Sequence, residues 1–170
     1  MNSYDCIVQY NFGMNGTQLS RPVSIYVGNY AASRDRTFMM EKDIGVIVNC
    51  ARELPNVFED SSITYYNVPV YDNGDPNEVA KMYGFLPSIV ERIYNEIKQG
   101  KNILIHCAAG AQRSCTVLAA YLMRYHRLSL RNAVGYIKSR REIAFFHGAN
   151  FQDALTNYEG KLVRSRLCLN

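Results

Sequence analysis

Residues 103–114 read Ile-Leu-Ile-His-Cys-Ala-Ala-Gly-Ala-Gln-Arg-Ser. The run 102–106 suits a buried parallel strand, while 115–126 sets its apolar residues at helical spacing. The loop between them therefore joins a strand end to a helix N-terminus. Small residues at Ala108, Ala109, Gly110 and Ala111, with Gln112 closing the loop, let the backbone curl so that its amides point inward as a nest for an oxyanion. The helix dipole adds positive potential at the same place. Arg113 supplies a planar fork matched to two oxygens of a phosphoryl group. Cys107 lies at the bottom of this cup, beside a helix N-terminus and a cation, which are the surroundings in which thiols ionise most readily. A core strand that merely ends in a buried cysteine would not require the small-residue loop, the arginine and Ser114 as well.

Composition agrees with one enzyme-sized domain. The chain has 170 residues, enough for a single core and too few for two ordinary domains. Hydrophobic residues make up 48% and charged residues 20%, the balance of a soluble globular protein. Five cysteines (Cys6, Cys50, Cys107, Cys115, Cys168) are odd in number and irregularly spaced, which argues against a disulfide framework. They suit a reducing compartment, so the expected location is the cytoplasm, with the nucleus also open to it. No Cys-x-x-Cys or His-x-x-x-His spacing suggests a metal site. The N-terminus carries no long apolar run or signal pattern, so neither secretion nor a membrane span is predicted. A net charge of +4 suits acidic or phosphorylated substrates without calling for a stable nucleic-acid partner. Nothing in the composition fixes an oligomeric state.

Residues 1–22 are polar, and Gly13, Gly16 and Pro22 break any pattern, so they read as an N-terminal arm ahead of a domain over 23–168. Ser24–Gly28 reads as a short strand, Asp35–Lys42 as a short helix, and Val46–Cys50 as a central strand. Tyr65–Val70 is rich in aromatic and branched residues and reads as another strand. Apolar residues from Val79 to Ile97 recur at helical spacing, with Pro87 predicting a kink or a helix that begins near Gly84. Two further helices are predicted over Ser129–Arg140 and Asn150–Arg166. The resulting expectation is a single α/β domain: a central, mostly parallel mixed sheet with helices on both faces and ligands at the strand C-termini.

His106-Cys107, five residues, then Arg113-Ser114 resembles the signature of cysteine-dependent protein phosphatases, and His-Cys-Ala-Ala-Gly-x-x-Arg-Ser is similar to that of the small dual-specificity phosphatases. Ile25–Ala32 resembles the opening strand segment of that family, Val46–Glu53 its Asn-bearing strand, and Phe151–Glu159 its closing helix. His147-Gly148-Ala149-Asn150 departs from the family's usual Pro-Asn-x-Gly. The resemblance implies a phosphatase P-loop between strand and helix, and hydrolysis of phosphotyrosine and phosphoserine/threonine on proteins through a cysteinyl-phosphate intermediate. It implies Cys107 as nucleophile, Arg113 and the amides of residues 108–112 as the phosphate cradle, and Ser114 as a hydrogen-bond donor to the sulfur. His106 would orient the loop and Asn49 would brace it from the neighbouring strand. No cofactor or metal is implied.

Expelling a serine or threonine alkoxide requires a proton donor. In the resembled family the acid lies three residues after a proline, which maps onto Asp72 in Pro69-Val70-Tyr71-Asp72; Asp75, in the same Asn-Gly-Asp-Pro loop, is the rival, and either can be a turn residue. Cys115 reads as a small buried residue in the first helical turn, or as an oxidation partner for Cys107. The cluster Arg124, Arg127, Arg131, Lys138, Arg140 and Arg141 reads as solvated helix faces, or as a recruiter of acidic partners. Three functions are open: a protein phosphatase, a phosphoinositide or RNA 5′-phosphatase, and a phosphoprotein-binding pseudophosphatase. Residues 108–112 lack the lysines of phosphoinositide-directed relatives and the His of RNA-directed ones, and Cys107 and Arg113 are intact, which favours the first.

Overall fold

Tyr4–Phe12 form strand β1, and Gln18–Gly28 form β2 against it. A 3-10 turn at Ala32–Arg34 leads into α1 (Arg36–Glu41), followed by β3 (Ile44–Asn49), β4 (Thr64–Asn67), α2 (Pro76–Lys98) and β5 (Asn102–His106). Three helices complete the chain: α3 (Arg113–Tyr125), α4 (Leu130–Arg140) and α5 (Gln152–Leu167). These elements belong to a computed structural model that describes residues 2–13, 15–59 and 61–168. The five strands form one sheet in the order β1-β2-β5-β3-β4. β2, β5, β3 and β4 run parallel, and β1 is antiparallel to β2.

Alternation along the strands divides the core. Ile103 and Ile105 of β5, with Val46 and Val48 of β3, face a large apolar cluster built with α2 to α5. Leu104 and Ile47, between them in sequence, point to the opposite face and meet Phe38 and Met39 of α1 and Phe58. Both faces are covered, which is why β3 and β5 read as continuous apolar runs rather than as alternating ones. α3 lies deepest: every residue from Arg113 to Met123 is buried. Its N-terminus consequently opens at the C-terminal ends of β5 and β3, where the sequence placed the phosphate loop.

Two expectations change. The arm predicted over residues 1–22 is a hairpin in which β1 forms a sheet edge; Met1 and Met14 of that span lie outside the described residues. Gly13 and Gly16, read as pattern breakers, make the hairpin turn, with Gly13 N–H on the Thr17 carbonyl at 2.7 Å. Pro22 sits at a register irregularity, between the pairs Tyr10↔Val23 and Phe12↔Gln18, where its missing N–H disturbs the ladder least. The second change concerns α2, which does not start near Gly84. Asp75 caps it by accepting from Asn77 N–H at 2.8 Å, Pro76 takes the first turn, and the helix runs through Pro87. The apolar stripe of Met82, Leu86, Ile89, Val90, Ile93 and Ile97 is buried along its whole length, and that burial outweighs the local cost of one proline.

Candidate active site

The loop 107–113 is shaped from behind. The carbonyl of Ala108 accepts from Tyr30 N–H at 3.0 Å, and that of Ala111 from Phe145 N–H at 2.9 Å. Arg141 donates from Nε to the Gly110 carbonyl at 2.6 Å and from a terminal nitrogen to the Ala109 carbonyl at 3.4 Å. Gln112 presents its carbonyl to Thr116 N–H at 2.8 Å. In a trans peptide each carbonyl opposes the N–H of the next residue, so with the carbonyls of residues 108–112 drawn outward the N–H groups of residues 109–113 face the other way, and these donate to no backbone acceptor among the described residues. Gly110 makes the curl possible. Its φ is +66°, and a Cβ there would lie 2.6 Å from the Gly28 carbonyl oxygen and 2.7 Å from Arg141.

Cys107 sits at the centre, buried, with its Sγ 3.3 Å from Ser114 Oγ. Arg113, in the first turn of α3, is positioned by Glu53: Nη1 donates to Oε2 at 2.8 Å and Nη2 to Oε1 at 2.6 Å, a fork-to-fork pair. Nη1 also donates to the Val70 carbonyl at 3.0 Å. A guanidinium has five N–H bonds, and these three contacts use the end-on edge and one flank. The remaining donors are Nε–H, buried and without a protein partner among the described residues, and the second Nη2–H. Those two lie on the same edge of the planar group, ready for a second bidentate acceptor. The hydrogen bonds from Arg113 in turn hold the Glu53 carboxyl below the ordinary glutamate range.

The two aspartates separate clearly. Asp75 is committed to capping α2. Asp72 is exposed and accepts from Asn150 Nδ2 at 2.9 Å. Asn150 N–H meets the side-chain oxygen of Gln112 at 3.0 Å, so a short relay of hydrogen bonds ties Asp72 to the loop. Glu78, in the first turn of α2, accepts from Tyr71 N–H at 2.7 Å and fixes the segment that carries Asp72.

A family model for the catalytic domain of dual specificity phosphatases matches residues 25–161. The chain belongs to the dual specificity phosphatase family. Rat dual specificity protein phosphatase 18 is 36% identical over 140 residues, which are 82% of this chain and 65% of that protein. Human dual specificity protein phosphatase 21 is 37% identical over 147 residues, 86% of this chain and 73% of the relative. The crystal structure of human DUSP28 superposes with a TM-score of 0.71 at 26% identity, covering 81% of this chain and 89% of that one.

Among the site residues of this dual specificity phosphatase, the structure brings Cys107, Arg113 and Ser114 together with the loop 108–112, and sets Asp72 at its rim. His106 is buried at the end of β5, its carbonyl accepting from Cys50 N–H at 2.8 Å; burial pushes its imidazole down to about 4, so the ring is neutral near pH 7. Asn49 departs from expectation. Its side chain makes no hydrogen bond to the loop but holds the turn 51–56, accepting from Ala51 N–H at 3.0 Å and donating to the Leu54 carbonyl at 2.9 Å. It therefore supports Arg113 through Glu53 rather than bracing the loop directly. The Gln112 amide also points away from the cup, donating to the Phe146 and Gly148 carbonyls at 3.1 and 2.9 Å. Its backbone N–H alone can serve a phosphate. Phe145 and His147 adopt left-handed backbone, at φ +56° and +63°, in the segment that departs from the family pattern. Cys115 is wholly buried with its thiol 3.6 Å from the Gly110 carbonyl, and burial pushes that thiol up.

Glu53, Arg141 and Asn150 are the residues that sequence reading did not assign. Arg141 belongs to the run that reads as solvated helix faces or a recruiter of acidic partners, yet it is buried and paired with Asp5 of β1 at 2.6 Å. The hairpin that looked like an arm thus supplies the counterion for the loop's brace. A carboxylate three residues after the strand-end Asn49-Cys50 was a visible signal for Glu53, but only the fold shows what it faces.

Proposed function

We propose that this protein hydrolyses phosphotyrosine and phosphoserine/threonine on proteins through a cysteinyl-phosphate intermediate. One observation carries the reading: around the Cys107 sulfur, the inward amides of residues 109–113 and the free edge of Arg113 present only hydrogen-bond donors. That arrangement complements the equatorial oxygens of a phosphoryl group whose charge grows in the transition state. Cys107 thiolate attacks phosphorus in line, and the P–O bond to the leaving oxygen breaks as Asp72 delivers a proton to it. Water then attacks the cysteinyl-phosphate, losing its proton to Asp72, and the S–P bond breaks with the Ser114 hydroxyl donating to the departing sulfur. The neutral His106 ring is no part of this proton path. The reaction needs no metal. Five unpaired cysteines support a reducing cytoplasmic or nuclear compartment, where a nucleophilic thiol persists.

The acid assignment has its own test. Asp72→Asn should slow hydrolysis of an alkyl phosphate far more than that of an activated aryl phosphate, whose oxygen departs with little help; general acid catalysis is worth about 10²–10⁴-fold. Asp75→Asn should affect both substrates equally and little, because asparagine keeps the α2 cap. A leaving-group-dependent loss in Asp75→Asn instead would reverse the two roles.

Loop shape is tested at Gly110. A methyl group there meets backbone at 2.6 Å, so the loop must shift by several tenths of an ångström. Gly110→Ala should lose on the order of 10²-fold in kcat/KM on an aryl phosphate, since misplacing a reacting group by about 1 Å costs that much. Far-ultraviolet circular dichroism should stay native. Wild-type kinetics in this variant would mean that the loop is adaptable rather than preorganised.

A further inference from the structure

The far end of α3 from the catalytic loop borders a second concavity, of about 370 Å³, between α2, α3 and α5. Arg124 and Arg127 at the end of α3 line it with Lys161 and Arg166 of α5, against a single acidic residue, Glu91. None of these four cations forms an ion pair with a carboxylate among the described residues. The whole chain carries a net charge of only +4, so this cleft concentrates positive charge. Part of its wall is apolar, including buried Leu162.

Arg127 gives a second, independent observation. It follows the last turn of α3 with φ at +56°, the left-handed position that glycine usually fills at a helix end. Leu128 N–H reaches back to the Leu122 carbonyl at 3.4 Å. Arg127 thus stands where its backbone is strained, and it lines the cleft.

Resting on the protein-phosphatase reading, we propose that this cleft docks an acidic segment of the phosphoprotein substrate. The concave shape and the apolar wall suit a peptide that mixes carboxylates with aliphatic side chains, whereas a membrane surface is flat. Single-stranded nucleic acid would require an exposed aromatic face for base stacking. The nearby Tyr125 does not offer one, because its ring is stacked on Tyr94 at 4.0 Å and 2° and carries Arg124 at 5.2 Å. Arg113 and Arg124 are eleven positions apart on α3, about 17 Å along its axis. An extended chain covers at most about 3.6 Å per residue, so the acidic segment lies no fewer than about five residues from the phosphorylated one.

The test uses two synthetic phosphotyrosine peptides, one with a Glu/Leu segment eight to ten residues from the phosphotyrosine and one with Gln in place of each Glu. The acidic peptide should show a lower KM, and Arg124→Glu combined with Lys161→Glu should raise that KM about tenfold, as charge reversals at complementary surfaces do. The KM of the Gln peptide, and turnover of a small aryl phosphate, should stay unchanged. Arg127→Gly should weaken the acidic preference while raising the melting midpoint by about 2–4 °C through relief of backbone strain. Equal KM values for the two peptides, or an acidic preference untouched by charge reversal, would overturn the docking proposal. So would tighter binding of a single-stranded oligonucleotide or of phosphatidylserine vesicles through the same residues. Loss of activity on the aryl phosphate in the wild-type protein would instead remove the catalytic reading, and direct titration of the dephosphorylated acidic peptide would still report on the cleft.

Discussion

Cys107→Ser is expected to abolish phosphate release while leaving inorganic phosphate bound. The donors that cradle the anion are backbone amides held by Tyr30, Arg141 and Phe145 from behind, and none of these contacts involves the Cys107 side chain. Arg113 is fixed by Glu53 and the Val70 carbonyl, again without the sulfur. Serine is smaller than cysteine and can keep a hydrogen bond with Ser114, so the loop should survive intact. What disappears is the nucleophile, because a hydroxyl has no anionic form to match a thiolate near neutral pH. Loss of a covalent nucleophile removes on the order of 10⁴-fold or more of turnover. Single-turnover phosphate release measures this, and binding of a phosphotyrosine peptide by calorimetry measures the retained cradle. Substantial residual turnover would show that another group attacks phosphorus. Lost binding with lost turnover would show that the thiol also holds the loop together.

The fold was legible where local pattern and burial agree. Apolar runs at Val46–Cys50 and 102–106 could only be strands covered on both faces, and the Cys107–Ser114 loop followed from what surrounds it. The hairpin was not legible, because β1 and the start of β2 lie on an exposed edge where polar residues are tolerated and no alternation marks the strand. Pro87 misled for a related reason: a local penalty is visible in sequence, but the tertiary burial that outweighs it is not. At the site, Cys107, Arg113 and Ser114 are contiguous in sequence, so their spacing announces them. Glu53, Arg141 and Asp5 act across 60, 31 and more than 100 residues of chain, and no short window contains both partners. Asn49 illustrates the limit most clearly. The family resemblance implies that it braces the loop directly, whereas its amide turns toward its own downstream turn.

Arg113→Lys should cost on the order of 10²–10³-fold in kcat, although net charge is unchanged. The guanidinium performs two tasks at once: its end-on edge and Nη1 flank are held by Glu53 and the Val70 carbonyl, and the adjacent edge offers Nε–H and Nη2–H to the substrate. An ammonium has three donors radiating from one point and cannot offer a separate two-donor edge to a carboxylate and to a phosphoryl group. Removing a single preorganised donor from a transition state has an effect of about that size. Glu53→Gln separates the two tasks. It keeps the shape and loses the charge, so Arg113 stays cationic but is free to swing, and kcat/KM should fall less than in Arg113→Lys. The pair also has a predictable pH response. Glu53 titrates below the ordinary glutamate range because Arg113 donates to it, so its contribution to stability is present above the unfolded-state value and is lost as pH falls through the lower folded one. Wild-type protein should therefore keep Arg113 clamped at mildly acidic pH, and Glu53→Gln should lack that acid-side loss of stability altogether. Thermal midpoints from pH 3 to pH 7 for both proteins provide the measurement. Near-wild-type kcat in Arg113→Lys would mean that charge alone stabilises the transition state, and the two-edged geometry of Arg113 would then carry no catalytic weight.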